Sequence, residues 1–197
     1  MARVIGDISI SIDGFVTGPD DGPALGLGRG GEEIQTWVES PADADQQALD
    51  RASEAAAVIM GRHLFDVVDG PYGWREGMGY GADRDARPPL FVVTSEAPDA
   101  PRLRDLYPLT FVTDGLASAV RRASAAAGDG DVYVMGGGET VGGCLEAGLL
   151  DQLRLHVSPI VMGRGTPLFT GETRRILRQV DVAVSPVAVH VTYAVDA

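Results

Sequence analysis

The sequence contains no lysine, and its 16 strongly basic residues are all arginine. This absence excludes Schiff-base chemistry of the aldolase or pyridoxal phosphate type, P-loop nucleotide hydrolysis and kinase-type phosphoryl transfer, because each depends on a lysine amine. Cysteine is almost as scarce, since Cys144 is the only one. The chain therefore cannot form an intramolecular disulfide or a Cys-x-x-Cys metal site.

Long apolar runs and net positive charge are missing as well. No run approaches the roughly 18 apolar residues of a membrane-spanning helix, and the N-terminus lacks the charged-then-apolar pattern of a signal peptide. The net charge of -12 disfavours nucleic acid or an anionic membrane as a partner. A length of 197 residues with 45% hydrophobic content suits one buried core. We expect a single domain over residues 1–197, located in the cytoplasm, with a small-molecule substrate.

Two segments of the chain carry an apolar strand directly into glycine. Val58-Ile59-Met60 runs into Gly61-Arg62-His63, and Val132-Tyr133-Val134-Met135 runs into Gly136-Gly137-Gly138 and a polar helix start. A strand that stops at glycine and opens a helix presents bare backbone N–H groups, and a helix N-terminus favours an anion. An arginine at a neighbouring strand end adds a fork of donors for a phosphate. Together the two segments predict a site for a phosphorylated dinucleotide.

These residues carry a family resemblance. The order Ile59-Met60-Gly61-Arg62, a strand end at Thr94-Ser95 and then Gly136-Gly137-Gly138 resembles the dihydrofolate reductase superfamily. Residues 136–165, together with Asp13-Gly14-Phe15-Val16, are similar to one branch of it. That branch is the reductase domain of the bifunctional riboflavin-biosynthesis deaminase-reductases and its stand-alone relatives. One cysteine cannot build the zinc site of the deaminase, so the resemblance is to the reductase half alone.

The resemblance implies a fold, an activity and an assembly. The fold is a three-layer α/β domain with a mixed, mostly parallel central sheet, flanking helices and an antiparallel C-terminal strand ribbon. The activity is NADPH-dependent hydride transfer to a C=N or C=O bond of a small pteridine- or pyrimidine-like substrate, as in dihydrofolate reductase or 5-amino-6-(5-phosphoribosylamino)uracil reductase. The alternative is an NADP(H)-binding module of the same fold without catalysis. Related domains suggest a homodimer, and the alternating valines near the C-terminus offer an apolar edge for it.

The cofactor contacts follow from the same pattern. Arg62 is placed at the ribose 2′-phosphate, and the glycine turn is placed at the pyrophosphate. Each position also has a simpler interpretation: Arg62 as a surface cation, His63 as a helix cap, Ser95 as a turn residue. The predicted cofactor contacts are Ile8, Ser9 and Val16 at the nicotinamide, then Gly61, Arg62, His63, Thr94, Ser95, Gly136, Gly137, Gly138, Glu139, Thr140 and Val141.

A proton donor is harder to assign. In dihydrofolate reductases an acid in the first long helix supports protonation, and Pro41-Ala42-Asp43-Ala44-Asp45 lies at about the corresponding place. Asp43 is therefore the candidate catalytic acid and Asp45 its alternative, although both also suit a helix N-terminus. His156 and His190 are interpreted as structural, because no metal-ligand spacing is present. Cys144 is interpreted as buried packing.

Periodicity and turn residues predict the elements. The stretch Gly26–Gly31 spells G-x-G-x-x-G, but no strand precedes it, so we interpret it as loop. Trp74 and Tyr80 favour a substrate-side flap in the long loop at 69–89. The valine parity flips at Ser185-Pro186, which indicates a turn between two strands or a bulge. Strands are predicted from Val4 and at 58–60, 90–94, 109–112, 132–135, 153–157, 180–184 and 187–195, and helices at 44–57, 64–68, 116–127 and 140–147.

Overall fold

The computed structural model of the protein describes residues 2–172 and 174–196. The predicted single domain also includes Met1, Thr173 and Ala197, which lie outside the described residues. The strands are β1 (Val4–Ser11), β2 (Phe15–Thr17), β3 (Ala57–Gly61), β4 (Leu90–Val93), β5 (Leu109–Val112), β6 (Val132–Val134), β7 (Gln152–Ser158), β8 (Thr166–Pro167), β9 (Arg178–Val184) and β10 (Val189–Ala194). The helices are α1 (Thr36–Glu39), α2 (Asp43–Ser53), α3 (Arg62–Asp69), α4 (Leu116–Ala127) and α5 (Gly138–Glu146), with 3-10 turns at Gly31–Gln35 and Arg102–Asp105.

One sheet organises the described residues. Its strand order is β5-β4-β3-β6-β1-β7-β10-β9, and β2 pairs with β8 in a separate two-stranded ribbon. The strands from β5 to β7 are parallel, whereas β10 and β9 pair antiparallel at one side. This arrangement confirms the predicted mostly parallel sheet with an antiparallel C-terminal ribbon. A turn at 185–188 joins β9 to β10. Of the two predicted causes of the change in valine parity, the turn between two strands is therefore confirmed.

The periodicity of apolar residues in the sequence predicts the bounds of several strands and helices correctly. The strands predicted at 90–94, 109–112 and 132–135 and the helix predicted at 116–127 are confirmed to within one residue. The helix predicted at 44–57 ends earlier, at Ser53, because residues from Ala57 onward pair in β3. Strand pairing there overrides the helix propensity of the alanine-rich sequence.

The sheet has an apolar cluster on each face, and side chains alternate between the two. Ile59 and Val134 pack with α4 and α5 on one face. Val58 and Met60 pack with Phe65 and Val68 of α3 on the other. Helices therefore cover both faces, as a three-layer fold requires.

β1 departs from the sequence prediction in an informative way. Its alternation predicted a half-buried strand, yet Asp7, Ser9 and Ser11 on the polar side are all buried. Residues 31–53, which form a 3-10 turn, α1 and α2, pack over that side through Trp37 and Ala48. The polar side chains of β1 consequently lie inside the protein, where each needs a hydrogen-bond partner.

Two long loops are held down by specific contacts. In the loop at 69–89, Trp74 packs at 5.8 Å from Tyr107 and Tyr80 at 5.6 Å from Tyr133, measured between ring centroids. The aromatic residues that suggested a flap therefore anchor this loop to the core. After β7, the backbone N–H groups of residues 162 and 163 donate to Asp13, whose pKa falls to about 2 because Ser11 and these N–H groups stabilise the carboxylate.

The two ends of the described chain meet at one residue. Val4 donates its N–H to the carboxylate of Asp151, and Val195 donates its N–H to the Asp151 carbonyl. Both ends lie at the edge of the sheet where the parallel strands begin. Within the described residues, no helix combines the length and apolar character needed to cross a membrane.

Candidate functional site

A crevice opens at the carboxyl edge of the sheet because β6 is short. Val134, its last residue, pairs with Gly6 of β1 on one side and Ile59 of β3 on the other. Both neighbours continue past this level, to Ser11 in β1 and to Gly61 in β3. The space beyond Val134, between β1 and β3, is called the crevice below. The predicted glycine turn leaves β6 at this point.

The helices that follow β3 and β6 lie on opposite faces of the sheet. α3 begins at Arg62 on one face, and α5 begins at Gly138 on the other. Adjacent parallel strands whose helices diverge in this way form a topological switch point, where α/β sheets bind ligands. Two helix N-termini with their free N–H groups adjoin the crevice, which suits a phosphate-bearing ligand.

The three consecutive glycines serve different purposes. Gly136 has φ = +108°, a conformation that L side chains rarely adopt, and a Cβ there would meet Leu64 at 3.0 Å. A Cβ on Gly138 would clash with the Pro167 carbonyl, so this glycine lets α5 pack against β8. Gly137 faces open space. Two of the three glycines thus have structural reasons, and Gly137 leaves the turn accessible from outside.

Arg62 bridges the ends of β3 and β4. Its Nε donates to Asp66 at 2.7 Å, and its Nη1 donates to the Glu96 carbonyl at 2.7 Å and to Thr94 Oγ1 at 3.3 Å. Its side chain is 39% exposed. Among the described residues, none bonds to Nη2, so one edge of the guanidinium is left for a ligand. Ser95, in contrast, is exposed in a bend after β4, in agreement with its interpretation as a turn residue.

The remaining predicted contacts of the glycine turn divide into three environments. Thr140 is buried with its hydroxyl packed against the backbone of Gly61, at the base of the crevice. Glu139 is exposed in the first turn of α5, where a carboxylate stabilises the helix start. Val141 is fully buried in the apolar cluster, and its N–H bonds to the Gly137 carbonyl. The side chain of Val141 therefore belongs to the core, and its contact with a cofactor stays a prediction.

A known protein family matches nearly the whole chain. The family model described as RibD C-terminal domain matches residues 2–191.

The chain belongs to the RibD C-terminal domain family.

Individual relatives are distant in sequence, and each match spans most or all of this chain. The "uncharacterized protein YyaP" of Bacillus subtilis is 23% identical over 178 residues, covering 88% of this chain and 84% of that protein. A putative riboflavin biosynthesis protein from Shewanella sp. PV-4 is 20% identical, with a TM-score of 0.73 and coverage of 99% of both chains. A diaminohydroxyphosphoribosylaminopyrimidine deaminase/5-amino-6-(5-phosphoribosylamino)uracil reductase from Thermotoga maritima is 12% identical, with a TM-score of 0.68 over 99% of this chain and 57% of that one. Family membership supports a reductase-type function, and the structural likeness establishes the fold.

In this RibD C-terminal domain, the three contacts predicted for a nicotinamide ring lie on β1 and β2 and differ in their surroundings. Ile8 packs against the α5-side cluster, and Val16 is buried in that cluster. Ser9 points the other way and accepts a hydrogen bond from Trp37 Nε1 at 2.9 Å. The three side chains therefore do not line one surface.

His63 is occupied by a contact that sequence reasoning missed. Its Nε2 lies 2.6 Å from Asp21 Oδ2, in the loop that follows β2. The same carboxylate is 3.4 Å from the Thr166 hydroxyl at β8. His63 thus ties the loop at 18–31 to the first turn of α3, beside the crevice.

The candidate acid Asp43 lies away from the crevice. It is the exposed first residue of α2 and lines an open groove of about 560 Å³ beside the β9–β10 hairpin. Asp45 is fully buried, and its Oδ2 accepts the Ala42 N–H at 2.9 Å. Asp45 therefore caps the helix, as the simpler interpretation predicted. Cys144 is buried in the core, where burial raises the pKa of its thiol to about 12, so it is not a nucleophile.

A buried chain of four titratable residues lies beneath α2. His156 Nε2 is 3.3 Å from Asp7 Oδ1, the two histidine Nδ1 atoms are 2.7 Å apart, and His190 Nε2 is 2.7 Å from Asp45 Oδ1. Each of the four side chains is at most 8% exposed. We call these residues the Asp-His-His-Asp chain. The histidines are satisfied, as predicted, but by each other and by two acids.

The surroundings of this chain are polar as well. Tyr80 donates its hydroxyl to Asp7 at 3.0 Å, and Arg154 donates to the Tyr133 hydroxyl at 2.5 Å. Burial opposes ionisation of Asp7, but the neighbouring His156 and Arg154 keep the pKa of Asp7 below its ordinary value. Burial also opposes ionisation of Asp45, and hydrogen bonds from His190 and Ser185 lower its pKa in turn. Both carboxyls are therefore ionised at neutral pH.

Proposed function

We propose that the protein is an NADPH-dependent reductase that transfers hydride to a C=N or C=O bond of a small heterocycle. The observation that carries this proposal is the crevice, where two helix N-termini, an open glycine and a half-exposed arginine converge at a topological switch point. Family membership supports the reductase assignment. The pyrimidine named for the Thermotoga maritima relative makes a pyrimidine-like substrate the first to test. We expect the reaction to take place in the cytoplasm.

The residues present fit a phosphorylated dinucleotide. The free edge of Arg62 suits a ribose 2′-phosphate, because a guanidinium binds phosphate through paired donors. The N–H groups that open α5 at Gly138 suit the diphosphate, with Gly137 leaving room for its approach. The cofactor would supply the hydride, and the chain would hold the substrate near it and exclude water.

Titration of the purified protein with NADPH, followed by nucleotide fluorescence, tests the binding step. We expect saturation at or below about 100 μM, within the range of common Michaelis constants. NADPH oxidation is then measured with a panel of pteridine, pyrimidine and imine substrates. Binding without any oxidation would favour the second candidate, a nucleotide-binding module of the same fold. The exposed position of Asp43 away from the crevice is what keeps this second candidate open.

We also propose that the protein acts as a homodimer through the β9 surface. Val180, Val182 and Val184 are 45%, 44% and 67% exposed on one face of this edge strand. Val184 pairs with Val189 of β10, itself 39% exposed, which extends the apolar patch. Exposed apolar patches of this kind favour association.

Light scattering at micromolar concentration should therefore show twice the monomer mass. Val182→Asp should return the monomer mass, whereas Val38→Asp, an equally exposed valine on α1, should leave the dimer intact. A wild-type protein that scatters as a monomer would contradict this assembly.

A further inference from the structure

The Asp-His-His-Asp chain has one hydrogen bond more than its ordinary protonation states can supply. Three contacts join the four groups, and each contact needs one proton between its two atoms. Two ionised carboxylates and two neutral imidazoles carry only two N–H protons, which point outward to Asp7 and Asp45. The two Nδ1 atoms, 2.7 Å apart, would then face each other with lone pairs only. A third proton between them removes this repulsion.

The charges around the chain favour the same proton. On α2, Asp45 and Arg51 face the histidines, and Arg51 is paired at 3.2 Å with Asp181 of β9. On β1 and β7, Asp7 lies beside Arg154. The three aspartates and two arginines named here sum to one negative charge, which an imidazolium balances. Tyr80 and Tyr133 contribute neutral hydroxyls, since burial raises the pKa of both.

The two rings divide the roles. Burial lowers the pKa of His190, and Arg51 lowers it further, while the hydrogen bond to Asp45 acts in the opposite direction. When the shared proton resides on the ring beside Asp7, His156 donates from Nε2 to Asp7 and from Nδ1 to His190, which accepts at Nδ1.

The chain extends from beside the open groove to the strand level at which the crevice opens. At one end, Asp45 is held by Ser185, which lines the open groove beside Asp43. At the other end, Asp7 is the first residue of β1 beyond its last pairing with β6, so it lies at the level where the crevice opens. A cavity of about 10 Å³ beside both histidines gives room for about one water molecule.

We propose that the Asp-His-His-Asp chain stores one proton between its imidazoles and relays it through Asp7 for the reductase reaction. The relay rests on the proposed function. Reduction of a C=N bond breaks its π bond and forms C–H from a hydride supplied by the nicotinamide and N–H from a proton. The Nε2 proton of the imidazolium passes from His156 through Asp7 to the substrate nitrogen, the nicotinamide is oxidised, and the histidine pair becomes neutral. A proton taken up from water then restores the charged pair.

Proton and nitrogen NMR of the whole protein with labelled histidine tests the store without any substrate. We expect a solvent-protected proton between the two Nδ1 atoms at neutral pH, with one imidazole of the pair protonated at both nitrogens. The exposed His63 is assigned by His63→Gln and serves as the internal reference. Two unprotonated Nδ1 atoms at neutral pH would overturn the proposal.

Asp45→Asn keeps the shape of the side chain and removes its charge. The shared proton should then be lost at a pH lower by about one unit or more, because an adjacent carboxylate stabilises an imidazolium. Asp50→Asn, an exposed change on the same helix, should leave that pH unchanged. Equal behaviour of the two variants would contradict a charge-stabilised proton.

The relay is tested with His190→Gln, which interrupts the chain far from the crevice. Reduction in a single turnover should slow by about tenfold or more and show a larger solvent isotope effect, because proton transfer then limits the rate, while NADPH affinity stays unchanged. Unchanged reduction kinetics would overturn the relay. If the wild type binds NADPH and shows the shared proton but reduces no substrate, the reductase reaction and the relay are both wrong and the store alone is supported.

Discussion

The crevice and the Asp-His-His-Asp chain contain the same kinds of side chain in opposite surroundings. At the crevice, Arg62 and Asp66 are each 39% exposed, so water screens their charges. In the chain, Asp45 and His190 are at most 4% exposed. A screened charge adds little to stability and remains available to a ligand, whereas a buried one must keep its partner or destabilise the protein. Changes at the crevice should therefore act on binding, and changes in the chain should act on stability as well.

The largest expected effect is on the buried side. Asp45→Ala removes the acceptor of His190 and of the Ala42 N–H, leaving both donors without a partner. We expect the free energy of unfolding to fall by about 3–5 kcal/mol, measured by urea denaturation. Asp43→Ala, two residues away and exposed, is the matched control and should change stability by no more than about 0.5 kcal/mol. Similar losses in the two variants would show that burial is not what separates the two regions.

At the crevice, the corresponding change should act on affinity. Arg62→Ala should weaken NADPH binding by about 1.5–3 kcal/mol, or about tenfold to a hundredfold, because it removes charge-assisted bonds to the 2′-phosphate. NADH binding should hardly change. Arg62→Lys should recover only part of the loss, because an ammonium lacks the paired donors. An equal loss for both cofactors would mean that Arg62 supports the loop through Glu96 and Thr94 instead.

Low pH should reduce the stability contributed by the buried aspartates of the Asp-His-His-Asp chain. The pKa values of Asp7 and Asp45 lie below their unfolded values. Their contribution to stability is therefore fully present above about pH 4, the ordinary aspartate range. It is lost as the pH falls through the lower folded-state values. Thermal unfolding followed from pH 6 downward should show this loss in the wild type, and Asp45→Asn should show a smaller pH dependence. A parallel pH dependence in the two proteins would contradict the assignment.

The smallest expected effect lies beside Arg62. Asp66→Asn removes the acceptor of Arg62 Nε, an exposed i,i+4 pair worth less than about 1 kcal/mol. Stability should barely change. NADPH affinity should rise severalfold at most, because a negative charge near the phosphate is removed. Asp69→Asn, at the last residue of the same helix, should not raise the NADPH affinity. Weaker binding in Asp66→Asn would show that the carboxylate is needed to orient the guanidinium.

How much the sequence predicts differs between the two regions. The crevice depends on local signals, namely glycines after apolar strands and an arginine at a strand end, so its place in the fold could be predicted. The close packing of α5 against β8 at Gly138 could not be predicted, because it depends on the carbonyl of Pro167, which is distant in sequence. Burial of the Val141 side chain could not be predicted from the glycine turn either, because it depends on which face of α5 packs on the sheet.

The buried chain joins residues from four distant parts of the sequence. His156 lies diagonally across from Asp7, because β1 pairs with β7 so that Asp7 is opposite Arg154 and Ser9 is opposite His156. His190 is opposite His156 because β10 pairs with β7. Local patterns show only that polar residues alternate along these strands. Nothing local indicates that α2 covers them, since α2 reads as an ordinary surface helix with acids at its start. Strand order and helix placement, rather than motif, create this cluster.

The meeting of both chain ends at Asp151 has a consequence for gene fusion. Additional protein attached before Val4 or after Val195 would emerge at the edge of the sheet where the parallel strands begin. The crevice lies at the opposite edge, where these strands end. An appended catalytic module could therefore be gained or lost without obstructing ligand entry. The Thermotoga maritima relative, of which this chain covers 57%, illustrates such an extended architecture.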